Sequence, residues 1–115
     1  MTSPTQLSKA ALVAQGYAVW IVEHWNSFTH RRVDLFNAWD LIAVRKDEVL
    51  FVQTTSGSNV SARVKKIAAN EYTGAIREAN VRLEVHGWAK RKLKRGGKAE
   101  RWHCRVVDVS QQGGP

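Results

Sequence analysis

Cysteine is nearly missing from this 115-residue chain. Cys104 stands alone, so the chain can form no internal disulfide, which suits a reducing compartment, and its setting in "RWHCRVV" reads as a buried strand position. Long hydrophobic runs are missing too. The apolar stretches fall far short of the roughly 20 residues a membrane helix needs, and the N-terminus lacks the charged-then-apolar order of a secretion signal. The expectation is a soluble, cytoplasmic protein with no membrane partner. His24, His30, His86 and His103 do not combine with Cys104 in any zinc-like spacing, and the adjacent His103 and Cys104 point to opposite faces of a strand. Neither a glycine-rich phosphate cradle nor a nucleophile elbow is present. Acid is scarce: ten Asp and Glu against eighteen Lys and Arg leave a formal charge of +8, which favours a polyanionic partner.

What is present specifies a folded globule. Five tryptophans and 43% apolar residues argue against disorder, and the length suffices for one core but not two. Residues 1–110 read as a single domain and residues 111–115 as a flexible tail. Ser3-Pro4 is a helix start, serine as N-cap and proline in the first turn. Leu7, Ala11 and Ala14 share one face, with Ala10 and Val13 beside them, and Gly16 is the stop. "YAVWIVEHW" (residues 17–25) predicts a strand, "NSFTHRR" a polar loop. A second strand starts near Trp39, and "EVLFVQTT" is the third.

From Val60 the period changes. Val60, Val64, Ile67 and Ala68 line one helical face, capped by Ser58 or Asn59, with Arg63, Lys66 and Asn70 on the polar face. Thr73-Gly74 breaks or kinks this helix before "AIREA". "VRLEVHGW" and "RWHCRVVDV" alternate apolar with polar, and a basic segment around Gly96-Gly97 joins them as a hairpin. The order α-β-β-β-α-β-β predicts an α/β domain around a mixed sheet of about five strands flanked by helices. Trp20, Trp25 and Trp39 read as core, and Trp88 and Trp102 as a packing pair across the hairpin base, the alternative being that they are exposed and stack on unpaired bases.

Two places stand out chemically. With residues 45–48 as a turn, Val44 faces Val49, Ile42 faces Phe51, and Asp40 faces Gln53; alternation puts Thr55 on the Gln53 face. An acid and two neutral oxygens at the mouth of an apolar hairpin form a seat for a hard divalent cation such as Mg²⁺ or Mn²⁺. The competing reading is that Asp40 caps a loop and that Gln53 and Thr55 merely end a strand. The second place is residues 89–101, "AKRKLKRGGKAER", where Lys90, Arg91, Lys92, Lys94, Arg95, Lys98 and Arg101 face the single acid Glu100. Such a cationic tip grips phosphates without reading sequence.

The succession of a helix, "GY" leading into a strand, Asp40-Leu-Ile-Ala, and a strand ending Phe-Val-Gln-Thr-Thr before a helix resembles the PD-(D/E)XK nuclease superfamily. That group has a restriction-endonuclease-like core and includes archaeal-type Holliday junction resolvases and Mrr-like endonucleases. The resemblance spans roughly residues 6–67. It implies metal-dependent hydrolysis of DNA phosphodiesters, with Asp40 as the motif's metal-binding acid. Gln53 takes the place of the usual Glu or Asp, as in the Mrr-type variant, and Thr55 that of the Lys that activates the attacking water. The resolvase-like Glu of the first helix is replaced near Gln6. Asp34 or Glu23 would supply the missing charge, and Lys66 or Arg63 the missing cation, with Arg63 also placed to touch nucleic acid. The resemblance further implies a homodimer. Two other readings compete: a nuclease-like fold that has lost catalysis and only binds nucleic acid through its basic hairpin, and a basic interaction or ribosome-associated module with no ancestral site.

Overall fold

The alternation of these segments builds an α/β domain, which a computed structural model describes over residues 3–111. The tail assigned to residues 111–115 lies outside it beyond Gln111. Ser3 accepts a hydrogen bond from the Gln6 amide (3.2 Å), so α1 runs Pro4–Ala14, and Gly16 leaves it at a φ of +93° that disfavours other residues. Then follow β1 (Ala18–Ile21), β2 (His24–Asn26), β3 (Arg31–Val33), β4 (Leu41–Arg45), β5 (Glu48–Ser56), α2 (Val60–Ala69), α3 (Thr73–Glu78), β6 (Arg82–Lys92) and β7 (Glu100–Asp108).

Five of the strands form one mixed sheet in the order β1-β4-β5-β6-β7. The hairpin register expected from the sequence holds: Ile42 lies opposite Phe51 and Val44 opposite Val49. All neighbours are antiparallel except β5 and β6, whose parallel pairing requires the helical crossover of residues 57–81. α1 covers one face of the sheet, over Leu41, Ala43, Leu50 and Val52. α2 and α3 cover the other, where Val60, Ile67 and Ile76 pack with Phe51, Leu83 and Val85. Gly87 is required at the closest approach: a Cβ there would lie 2.2 Å from Val60 Cγ2. No helix among the described residues is long and apolar enough to cross a membrane.

Several expectations are corrected. The strand predicted over residues 17–25 stops at Ile21, and the segment read as a polar loop is a second, two-stranded sheet of β2 and β3. The helix after β5 does break before "AIREA", but at residues 70–72, so Thr73-Gly74 opens α3 instead of ending α2; a 3₁₀ turn (Gly57–Asn59) precedes α2, and Asn59 is its N-cap but donates to Ser56 instead of capping with its side chain. The buried face of α1 is Thr5, Ser8 and Leu12, whereas Val13 is exposed. Trp39 is core, but Trp20 and Trp25 are 73% and 60% exposed. Across the β6–β7 hairpin Trp88 pairs with Cys104 and Lys90 with Trp102, two residues from the expected match, and the Lys90 ammonium sits 5.2 Å from the centre of the Trp102 ring. Cys104 is half-buried, and burial pushes its thiol up to about 11.

β1, β5 and β6 run in the same direction, because β1 is antiparallel to β4 and β4 to β5. Their carboxyl ends therefore share one end of the sheet. The β2–β3 ribbon leaves β1 there, and the tip of the β6–β7 hairpin projects beyond it.

Candidate metal centre

A cavity of about 360 Å³ opens at that end of the sheet, lined by the start of α1, Glu23, Arg32, Asp34, Asp40, Gln53, Thr54 and Arg63. Each of its acids arrives from a different direction. Glu23 lies just past β1, Asp34 follows β3, and Asp40 enters β4. One carboxylate oxygen from each lies within 4.8 Å of the others.

Asp40 is buried at the open end of the hairpin, where the ladder stops at the Leu41–Val52 pair. Its carboxylate takes over there. Oδ2 accepts from the Thr54 amide (2.8 Å), the Thr54 hydroxyl (3.0 Å) and the Gln53 amide nitrogen (2.7 Å), while Oδ1 accepts no hydrogen bond among the described residues. Because the Gln53 nitrogen must donate to a carboxylate, its Oε1 is turned the other way, buried and without a partner among the described residues. Asp34 Oδ1 is likewise buried and unpartnered. Buried polar atoms without partners are rare, and here one belongs to an acid of the trio and the other to the amide that holds Asp40, an arrangement suited to a hard cation. Three converging carboxylate oxygens fit a hard cation such as Mg²⁺ or Mn²⁺.

Protons are short on the opposite wall. Thr5 Oγ1 contacts Glu23 Oε1 (2.9 Å) and Thr54 Oγ1 (2.8 Å), and Thr54 Oγ1 contacts Asp40 Oδ2 (3.0 Å). Three oxygen pairs share two hydroxyl protons. With Thr54 donating to Asp40 and Thr5 to Glu23, the Thr5–Thr54 contact is left without a proton of its own. Burial, reinforced by the charges of Glu23 and Asp34 and opposed by the Thr54 hydrogen bonds, pushes the Asp40 carboxyl up to about 6. Burial also raises Asp34, with Glu23 adding to it and Lys66, Arg32 and Arg63 opposing. Arg32 pairs with Glu23 at 2.9 Å.

The structure thus brings Glu23, Asp34, Asp40 and Gln53 together, with Arg63 on the wall. Two expected residues are elsewhere. Thr55 is buried on the same side of β5 as Gln53 but does not line the cavity, and Thr54 stands at the carboxylate instead. Strand alternation favoured Thr55; it fails because the Asp40 side chain lies along the end of the ladder and reaches the next backbone amide. Lys66 is exposed on α2 and acts on Asp34 only through its charge. Gln6 is exposed, and its neighbour Thr5 takes part in the site. Arg32 and Thr5 carried no signal in sequence, since each is joined to the site only by the fold.

The basic residues Lys90, Arg91, Lys92, Lys94, Arg95 and Lys98 are all exposed. Val85 pairs with Gln53, and seven further residues of β6 carry the strand to Lys92, about 23 Å past the cavity at 3.3 Å per residue. The cation-rich tip and the acid cavity therefore lie at the same end of the molecule. Comparison of the chain with protein-family models, with curated proteins and with solved structures finds no match.

Proposed function

We propose that this protein is a metal-dependent nuclease acting on DNA, with Asp40, Asp34, Glu23 and Gln53 Oε1 holding one Mg²⁺ or Mn²⁺. The observation that carries the reading is the convergence of three carboxylates, with an oxygen of Asp34 and the nearby Gln53 Oε1 buried and without a partner among the described residues. A divalent ion there supplies Lewis-acid polarisation of a phosphodiester and a lowered pKa for a bound water. The protein's own groups set the rest. Thr54 and Gln53 hold Asp40 with Oδ1 free, and Thr5 fixes Glu23. Three ionised carboxylates against the two guanidinium groups of Arg32 and Arg63 leave the cavity one excess negative charge, so it repels a phosphodiester until a divalent ion reverses the sign. Arg63 takes the part the resemblance gives to a lysine, since its long cationic side chain reaches the cavity wall from α2. The basic hairpin supplies phosphate contacts along the flanking helix.

The resemblance of Asp40-Leu-Ile-Ala and Phe-Val-Gln-Thr-Thr to PD-(D/E)XK nucleases supports the same reading. One observation favours a second, non-catalytic nucleic-acid binder: no lysine lines the cavity. Labelled linear, single-stranded, flapped and four-way-junction DNA, incubated with Mg²⁺ or Mn²⁺, separates the two. Metal-dependent cleavage that disappears in Asp40→Ala is expected, and salt-sensitive binding with no cutting under either metal would establish the binder.

A further inference from the structure

The β2–β3 ribbon has the wrong surface for a solvated loop. Phe28 at its tip is 94% exposed and Trp25 60%, yet the ribbon also carries His24, His30, Arg31 and Arg32, with no acid between Glu23 and Asp34. Large apolar side chains set beside the two arginines match the two faces of a nucleotide, a flat base and a charged phosphate. The ribbon is joined to the acid cavity. Trp25 lies directly opposite Arg32 in the pairing and so projects from the same face, and Arg32 reaches Glu23 at 2.9 Å. His30, two residues before Arg32 on that face, meets the Trp25 ring edge-on at 6.4 Å. Trp25 is two residues from Glu23, about 7 Å of extended chain. Asn26 holds the tip by accepting from the amides of Phe28 and Thr29, which leaves the Phe28 ring outside the turn.

We propose that this ribbon is a stacking platform for unpaired bases, and that it directs the cavity toward nucleic acid with a single-stranded, flapped or otherwise unstacked segment beside the bond to be cut. The inference rests on the nuclease reading for what the cavity does, but base stacking itself requires no cleavage. A duplex hides its base faces and offers the ribbon only phosphates; an unpaired base offers a surface for Trp25 and Phe28.

Binding of labelled single-stranded and duplex oligonucleotides in EDTA, followed by anisotropy, tests this without hydrolysis. Trp25→Ala and Phe28→Ala should each weaken single-strand binding by about 5- to 150-fold, the range for losing one base–aromatic stack, and leave duplex affinity unchanged. Trp25→Phe, which keeps a ring, should recover most of the loss, and 2-aminopurine in the single strand should be quenched by wild type but not by Trp25→Ala. Equal loss on both substrates, or loss on neither, overturns the platform; so does altered self-association in sedimentation with unchanged oligonucleotide affinity. A protein that binds no oligonucleotide in EDTA overturns the platform, and one that also neither binds nor cuts any with Mg²⁺ or Mn²⁺ overturns the nuclease. A single-strand preference that depends on Trp25 without cleavage under any metal upholds the platform and removes the nuclease alone.

Discussion

Replacing Asp40 with asparagine should stabilise the metal-free protein while abolishing its response to magnesium. The Asp40 carboxyl is pushed up to about 6 from an ordinary value of 3.8, chiefly by burial, so holding it ionised in the folded state costs about 3 kcal/mol. The sign follows from linkage. A folded-state pKa above the unfolded one means that this group's contribution is complete below pH 3.8, falls as pH rises to about 6, and is flat above. Asparagine keeps an oxygen for the Thr54 and Gln53 donors and turns an amide toward Glu23 and Asp34 in place of a third negative charge. Urea and thermal unfolding of both proteins in EDTA at several pH values give the test. The two should coincide near pH 4 and diverge up to about pH 6.5, Asp40→Asn becoming more stable by about 2–3 kcal/mol, or roughly 10 °C in Tm for a domain of this size. Carboxylates away from the cavity titrate alike in both proteins and cancel in the difference, while Glu23 and Asp34, relieved of the Asp40 charge, add to the stability of the variant. Magnesium at a hundred times its Kd should then add about 2.7 kcal/mol to wild type and almost nothing to the variant. A variant less stable than wild type at pH 7.5 in EDTA, or a gap that ignores pH, would refute the proton-deficient chain through Thr5 and Thr54.

Three further outcomes follow from the packing and the charge. Ser8 is fully buried; it accepts from the Trp88 indole (2.8 Å) and contacts His86 Nδ1 (2.9 Å), while His86 Nε2 meets Glu84 (3.0 Å). Ser8→Ala orphans two ring nitrogens and should lower unfolding free energy by about 2–4 kcal/mol, measured in urea; a change below about 0.5 kcal/mol would mean that water replaces the hydroxyl. Gly87→Ala forces a methyl into Val60 and should cost about 1–3 kcal/mol, read from the same transition, and a neutral result would show that α2 can retreat. Neutralising Lys92, Lys94 and Arg95 together should weaken duplex binding and reduce the slope of log affinity against log salt by about 2–3; an unchanged slope would place the phosphates elsewhere.

The hairpin register was legible because the charged segment of residues 45–48 marks the turn between two short apolar runs, which sets Val44 opposite Val49 and Ile42 opposite Phe51. Asp40 and Gln53 were legible as polar exceptions to that pattern. The partners of Asp40 were not, since a carboxylate beyond the last ladder pair obeys hydrogen-bond supply and not strand alternation, and Thr54 replaces Thr55. The β2–β3 ribbon escaped because three-residue strands of mixed polarity leave no period to detect. Trp20 and Trp25 misled for a related reason: apolar residues fill cores, but a residue's being apolar does not place it in one. The inward face of α1 is polar at Thr5 and Ser8, and what makes it inward is sequence some 50 to 80 residues away.

That separation gives the first helix an unusual place in time. At about 5–20 residues per second of synthesis, the Trp88 indole is made about 4 to 16 s after the Ser8 hydroxyl that it must meet. Until then α1 has no complete sheet face to lie on, and Thr5 has no fixed position against Thr54 and Glu23. Every residue that lines the cavity is made by Arg63, whereas the helix that brings Thr5 to it gains its Trp88 contact only 25 residues later, so the candidate site has all its groups before the helix closing it is fully held.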